Sequence, residues 1–258
     1  MRLSAERTSL QKVKADIACT FLFEDRKLFE EKMNLLKKIL KKSVETLLEG
    51  KDFKGKEGEA IVIYTEDRFA SRRFMLVGLG EKKKLTLEKL RRAAATAAKK
   101  AQTLKIRSLA FEFPEAPIVT EVIKESIQDI AQAMAEGAAL SLYRFDKYFT
   151  EKKEKESKIT RINLFDDDAR RSKEVRKGVQ FAQIIIETTS FARDLENAPS
   201  NEIYPEYRLD DVARPDADDA VDHDAVARIQ ALAHDPSVVQ LAGQPNRPRA
   251  GHVVGFDE

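Results

Sequence analysis

The sequence predicts an α/β fold of three layers with a mixed sheet, on the strength of two observations. Short β-rich runs alternate along the chain with longer stretches whose apolar residues recur every three or four positions. The alternation fails once, near residues 60–79, where two β-rich runs follow each other with only a turn between them, so the sheet is not purely parallel.

The first strand is "DIACTFLFE" (16–24), with Ile17, Cys19, Phe21 and Phe23 on one face and a second face almost as apolar, the pattern of a strand covered on both sides. Phe29, Met33, Leu36, Leu40, Val44 and Leu47 then make one buried helical stripe, and Gly50 is placed to stop it. "KDFKGKEGE" is a polar loop, and "AIVIYT" and "RRFMLVGLG" are the strand pair. Thr86 caps the next helix, with Leu85 and Leu90 as a hydrophobic staple and Glu88 at the positive end of the dipole. "IRSLAFEF" (106–113) is a strand closed by the prolines of "PEAP". The stripe Ile123, Ile127, Ile130 and Met134 predicts one long helix over 119–143. Gly137 inside it costs roughly 1 kcal/mol relative to Ala, which a close helix contact would explain. "TEKKEKESK" (150–158) is a solvated charged loop, "RINLF" (161–165) a strand, and 170–195 a long helix leading away from the domain. The stripe of that helix, Val175, Val179, Ile186 and Leu195, needs a partner; part of it is expected to stand exposed and to favour self-association.

The vocabulary changes at Arg208. From there to Glu258 no Lys and no Tyr occurs, and Ala and Asp appear nine times each. The whole-chain charge of +2 divides into −5 for residues 208–258 and +7 for the other 207 residues. A balance of +7 on that length does not point to nucleic acid. Large apolar groups are sparse after Arg208; "AVARIQALAH" is the one short helical stretch, and "GQPNRPRAGH" is turn-like. The mix of Ala, Asp, Arg, Pro, Val and His is that of a GC-rich reading frame, as a frameshift, a gene fusion or an assembly error would produce. Cys19 is the only cysteine, which fits a reducing compartment. "MRLSAERTSLQKVKAD" lacks an apolar h-region, and no run approaches the length of a membrane span. The expectation is a soluble, cytoplasmic protein with no membrane partner.

Before the change, "ARDLENAPSNEIYPEY" (192–207) resembles the segment that opens the catalytic domain of leucyl aminopeptidases, the cytosol aminopeptidase family, at Ala192, Arg193, Leu195, Asn197, Pro199, Asn201 and Pro205. "FMLVGLGEKKKLTLEKLRRAAATAAKKA" and "AEGAALSLYRFDKY" are similar to that family's N-terminal domain, and the segments fall in the family's order. The resemblance implies residues 1–168 as a macro-like α/β domain, 169–207 as a connecting helix and the start of a catalytic domain, and 208–258 as an unrelated or disordered tail. It implies an enzyme that removes N-terminal amino acids from peptides with two divalent metals, manganese or zinc, held by one lysine and several carboxylates in motifs like "DSGG" and "NTDAEGR". Neither motif occurs here, and no lysine follows Lys177. No catalytic or metal residue is therefore carried over, no cofactor is expected in this chain, and the chain is expected to be an inactive, truncated or chimeric member. The competing function is a stand-alone macro-like binding or assembly module.

Four other features invite a site. "DADDAVDHD" (216–224), with His223, offers oxygen and imidazole donors, but no glycine turn or bidentate Glu arranges them, so a solvated acidic run is expected; His234 and His252 are isolated. "GLG" (78–80) lacks the third glycine of a phosphate loop and reads as a strand-ending turn. Arg91, Arg92, Lys99 and Lys100 share one helix and read as a solvated face. Cys19 sits in a covered strand, where a thiol is inert packing.

Overall fold

In the computed structural model, which describes residues 1–40, 44, 53–66, 68–148 and 158–199, the alternation becomes a single mixed sheet between two helical layers. The strands are β1 (Arg2–Arg7), β2 (Ile17–Phe23), β3 (Ala60–Tyr64), β4 (Arg73–Gly80), β5 (Ser108–Glu112) and β6 (Arg161–Asp166). The helices are α1 (Arg26–Leu40), α2 (Leu87–Thr103), α3 (Ala116–Ile123), α4 (Ile127–Leu140) and α5 (Ala169–Asn197). The sheet order is β1-β6-β5-β2-β4-β3. Every neighbouring pair is parallel except β3 with β4, the helix-free pair.

The parity of each strand decides its layer. Ala18 and Leu22 of β2 and Leu76 of β4 join Met33, Leu36 and Leu40 of α1 on one face. Cys19 and Phe21 of β2 and Phe111 of β5 join α2, α4 and α5 on the other. The strands at the centre are apolar on both faces because both are covered: all seven residues of β2 are buried. Thr86 caps α2 as expected, its hydroxyl accepting from the Lys89 N–H at 3.2 Å, and the staple residues Leu85 and Leu90 are both in the core.

Three expectations are corrected. The strand over 16–24 is not the first: Arg2–Arg7 forms β1, parallel to β6 from Arg2↔Arg161 to Arg7↔Asp166. The single helix over 119–143 is two helices. Lys124 ends α3 in the left-handed region, at φ 60°, and Ser126 starts α4 with a capping box to Asp129. The stripe of α5 is not left bare either. Val175, Val179, Ala182 and Ile186 are buried, and only Leu195 of the predicted stripe is half-exposed. The helix runs along its own domain, packed on α4 and β1.

Glycine makes that packing possible. A Cβ on Gly178 would lie 2.2 Å from the Gln128 carbonyl oxygen, and one on Gly137 would lie 2.2 Å from that of Arg91. The contact anticipated for Gly137 is therefore the crossing of α2 and α4. Of the helix predicted to run to Gly50, Val44 is helical and buried, while 41–43 and 45–52 lie outside the described residues, as do residues 150–157 of the charged loop and residues 200–258.

Candidate functional site

The features singled out in the sequence resolve into packing and ion pairs. Gly78 faces the 53–59 loop so closely that a Cβ would sit 1.9 Å from the Lys56 carbonyl oxygen. Gly80 has φ +74°, accepts from the Glu24 N–H at 2.9 Å and donates to the Gly55 carbonyl at 2.8 Å. "GLG" is thus the seat of a neighbouring loop, with its backbone groups already used. The proposed basic face is half neutralised. Arg91 pairs with Glu88 at 2.9 Å and with Glu136 at 3.1 Å, and Arg92 pairs with Glu88 at 3.0 Å. Lys99 and Lys100 are exposed in the last turns of α2, where the helix dipole favours cations. Cys19 is fully buried, and burial pushes its thiol far above the usual range, which removes it as a nucleophile. The aspartates of 216–224, with His223, His234 and His252, lie outside the described residues.

A polar cluster lies at the carboxyl end of the sheet, between β2 and β5, where the helices that follow the two strands go to opposite faces. In open α/β sheets that position is the usual crevice for ligands. Here the chain fills it with its own groups. The Thr20 hydroxyl donates to Glu112 Oε2, and Lys32 Nζ of α1 pairs with the same oxygen at 3.0 Å. The Lys32 and Glu112 side chains are only 13% and 23% exposed, so the pair is compensated internally rather than presented to a substrate. Beside it, the Asp25 carboxylate accepts from the Lys82 N–H at 2.6 Å. Sequence reasoning missed this cluster; its signal was Glu112, a charge set inside the apolar strand "AFEF".

A second cluster joins the two family-like segments. Arg193 lies with its guanidinium carbon 5.3 Å from the centre of the Tyr143 ring and donates to the Leu140 carbonyl at 3.4 Å. The Tyr143 hydroxyl donates to Asp194 Oδ1 at 2.6 Å, and Asn197 Nδ2 donates to the Arg193 carbonyl at 2.7 Å. Desolvation, and then the bond to Asp194, hold the Tyr143 hydroxyl above the usual tyrosine range, so it remains a donor at neutral pH. Arg193 and Asn197, matched above as sequence signature, act here as a joint that fixes the end of α5 on the end of α4. Among the described residues, no three His, Cys, Asp or Glu side chains are placed to hold a metal ion, and no helix is long and apolar enough to cross a membrane.

A family model described as "Cytosol aminopeptidase family, N-terminal domain" matches residues 20–152. A probable cytosol aminopeptidase of Sulfurihydrogenibium sp. (strain YO3AOP1) is 31% identical over 205 residues, covering 79% of this chain and 39% of its own length. One from Persephonella marina is 31% identical over 246 residues, covering 94% of this chain, past Arg208, and 48% of its own length. A tomato leucine aminopeptidase mutant structure shares the fold at a TM-score of 0.62 and 20% identity, over 82% of this chain and 40% of that one. The chain therefore spans about two-fifths to one-half of the length of these relatives.

Proposed function

Because the chain belongs to the cytosol aminopeptidase family, whose N-terminal domain its residues 20–152 match, we propose that it serves as the N-terminal portion of a leucyl aminopeptidase. In this reading the whole enzyme works in the cytoplasm, removes N-terminal amino acids from peptides and uses two divalent metals, manganese or zinc. The observation that carries it is the family match over 20–152, prolonged by the ordered likeness of "ARDLENAPSNEIYPEY" up to Tyr207. When bound in such an enzyme, the metals activate water and polarise the scissile carbonyl.

The described residues do not fit that metal pair. They bring no three metal-ligating side chains together, and no lysine follows Lys177. No chemical step is assigned to any of them. Their contribution is architectural: a macro-like α/β unit whose last helix is pinned to the end of α4 through Tyr143.

The purified 258-residue chain is therefore expected not to hydrolyse leucine amide or leucyl peptides, with or without manganese or zinc. Without fixed ligands, most of a metalloenzyme's rate enhancement is lost, on the order of many powers of ten. Metal-dependent turnover that survives further purification overturns this reading and directs attention to His223 and the aspartates around it.

A further inference from the structure

The two edges of the sheet are treated differently. β1 carries Arg2, Glu6 and Arg7, and its outward Leu3 N–H is taken by Gln183 Oε1 of α5 at 3.1 Å. Charges and a capping side chain are how natural sheets close an edge. β3 reads "AIVIY", with no charge, no proline and three β-branched residues. Its ladder to β4 is bracketed by Gly78 N–H to the Glu59 carbonyl at 2.9 Å and Thr65 N–H to the Arg72 carbonyl at 3.1 Å. With the register Ala60↔Val77 to Tyr64↔Arg73, those bonds turn Ile61 and Ile63 toward β4. The backbone N–H and C=O groups of Ala60, Val62 and Tyr64 therefore point away from the sheet, and among the described residues none has a hydrogen-bond partner. Tyr64 is 65% exposed, with Arg73 5.9 Å over its ring.

We infer that this edge pairs with the same edge of a second copy of the chain, antiparallel and centred on Val62, so that one sheet runs through both copies. The strand is complementary to itself in this register. Val62 meets its own counterpart, and Ala60 meets Tyr64 of the other copy, a methyl group opposite a large ring at both ends. All three outward residues become hydrogen-bonded pairs. Side chains directly opposite one another lie on the same face, so Ala60 and Val62, which pack against the α2 side, continue that face across the junction. No charged side chain lies within Ala60–Tyr64, so the twofold axis brings no like charges together. Head-to-tail pairing of β3 on β1 is opposed by the charges and the Gln183 cap on that other edge. This inference depends neither on the family membership nor on the peptidase reading.

The test is sedimentation of the 258-residue chain across concentration, joined to amide hydrogen exchange. The expected result is a dimer in which the amides of Ala60, Val62 and Tyr64 are protected and lose protection on dilution. Val62→Pro removes an N–H that β4 does not use, and Tyr64→Lys puts a charge on the exposed end of the strand. Val62→Pro should weaken the dimer about tenfold or more, the factor that loss of one or two net hydrogen bonds gives, and Tyr64→Lys should also weaken it, both with the far-ultraviolet dichroism of the domain retained. A chain that stays monomeric at all concentrations overturns the inference. So does a dimer whose three amides exchange freely, because the copies then meet elsewhere, and so does protection in a monomer, because the chain then covers its own edge.

Discussion

Arg193 stacks on Tyr143 at 5.3 Å while the neighbouring Asp194 accepts the same tyrosine's hydroxyl at 2.6 Å, so two consecutive residues of α5 hold the face and the hydroxyl of one side chain. The grip holds a helix terminus where few apolar contacts remain. Arg193→Ala should therefore destabilise the domain by about 1 kcal/mol, through the lost cation–π contact and the lost donor to Leu140. Tyr143→Phe, which keeps the ring, should cost about half as much. A double-mutant cycle of Arg193→Ala with Tyr143→Ala in urea is expected to return a coupling energy that differs from zero; strict additivity would show that the contact contributes nothing.

Gly137 and Gly178 sit where helix backbones nearly touch. Gly137→Ala and Gly178→Ala should each destabilise by about 1–3 kcal/mol despite the higher helix propensity of alanine, because the methyl group meets backbone oxygen rather than a movable side chain. Urea midpoints compared at constant m-value measure this. A stabilising substitution at either site would mean that the helices can part freely.

Lys32 and Glu112 share one partly buried pair. Glu112→Ala leaves Lys32 and Thr20 without their acceptor and should cost about 2–3 kcal/mol. The double variant Lys32→Met with Glu112→Leu should recover much of that loss, since two apolar groups remove the desolvation cost that the ions bear. Thermal unfolding of the single and double variants distinguishes a structural pair, which recovers, from a site that needs both charges.

Asp16 accepts the N–H groups of Arg107 and Ser108, each at 2.8 Å, and so ties the start of β2 to the start of β5. Partial burial pushes its carboxyl up, but those two bonds, the Ser108 hydroxyl and the charge of Arg161 outweigh it, and the net position is below the usual carboxylate range. A depressed folded-state pKa contributes stability that is present above the unfolded value, about 3.9, and is lost as pH falls through the folded value. Asp16→Asn should therefore lower the urea midpoint at pH 7, and the gap from the parent chain should close as the pH falls below about 4. A gap independent of pH would show that the carboxylate charge is not what the backbone groups recognise.

Much of the fold was legible because local signals and tertiary structure agree. β2 and β4 announce themselves as apolar on both faces, α2 begins at the Thr86 cap that the sequence displays, and the misfit of Gly137 in a helix correctly signalled a close crossing. β1 was not legible: "RLSAER" has only Leu3 and Ala5 as apolar residues, and its strand character comes from pairing with β6 far along the chain. The break between α3 and α4 was hidden by an isoleucine spacing that runs through it, although Ser126 and Asp129 form a recognisable capping box. The cover on the α5 stripe depends on Gly178 meeting Gln128, a contact between segments that no window of sequence contains. The same holds for the cluster of Thr20, Lys32 and Glu112, three residues that only the assembled sheet and α1 bring together.

The pairing of β1 with β6 also sets a timetable. During synthesis Arg2–Arg7 leaves the ribosome before the other strands of the sheet, yet its only neighbour there is Arg161–Asp166, at the other end of the domain. At roughly 5–20 residues added per second, the opening segment waits many seconds, at the slower rates, for the strand that will hold it. Strands β2 to β5 can meet in the meantime, but β6 has β5 on one side and β1 on the other, so the far border of the sheet is completed last. A nascent chain stalled before Arg161 should leave Arg2–Arg7 open to protease, whereas one released after α5 should shield that strand.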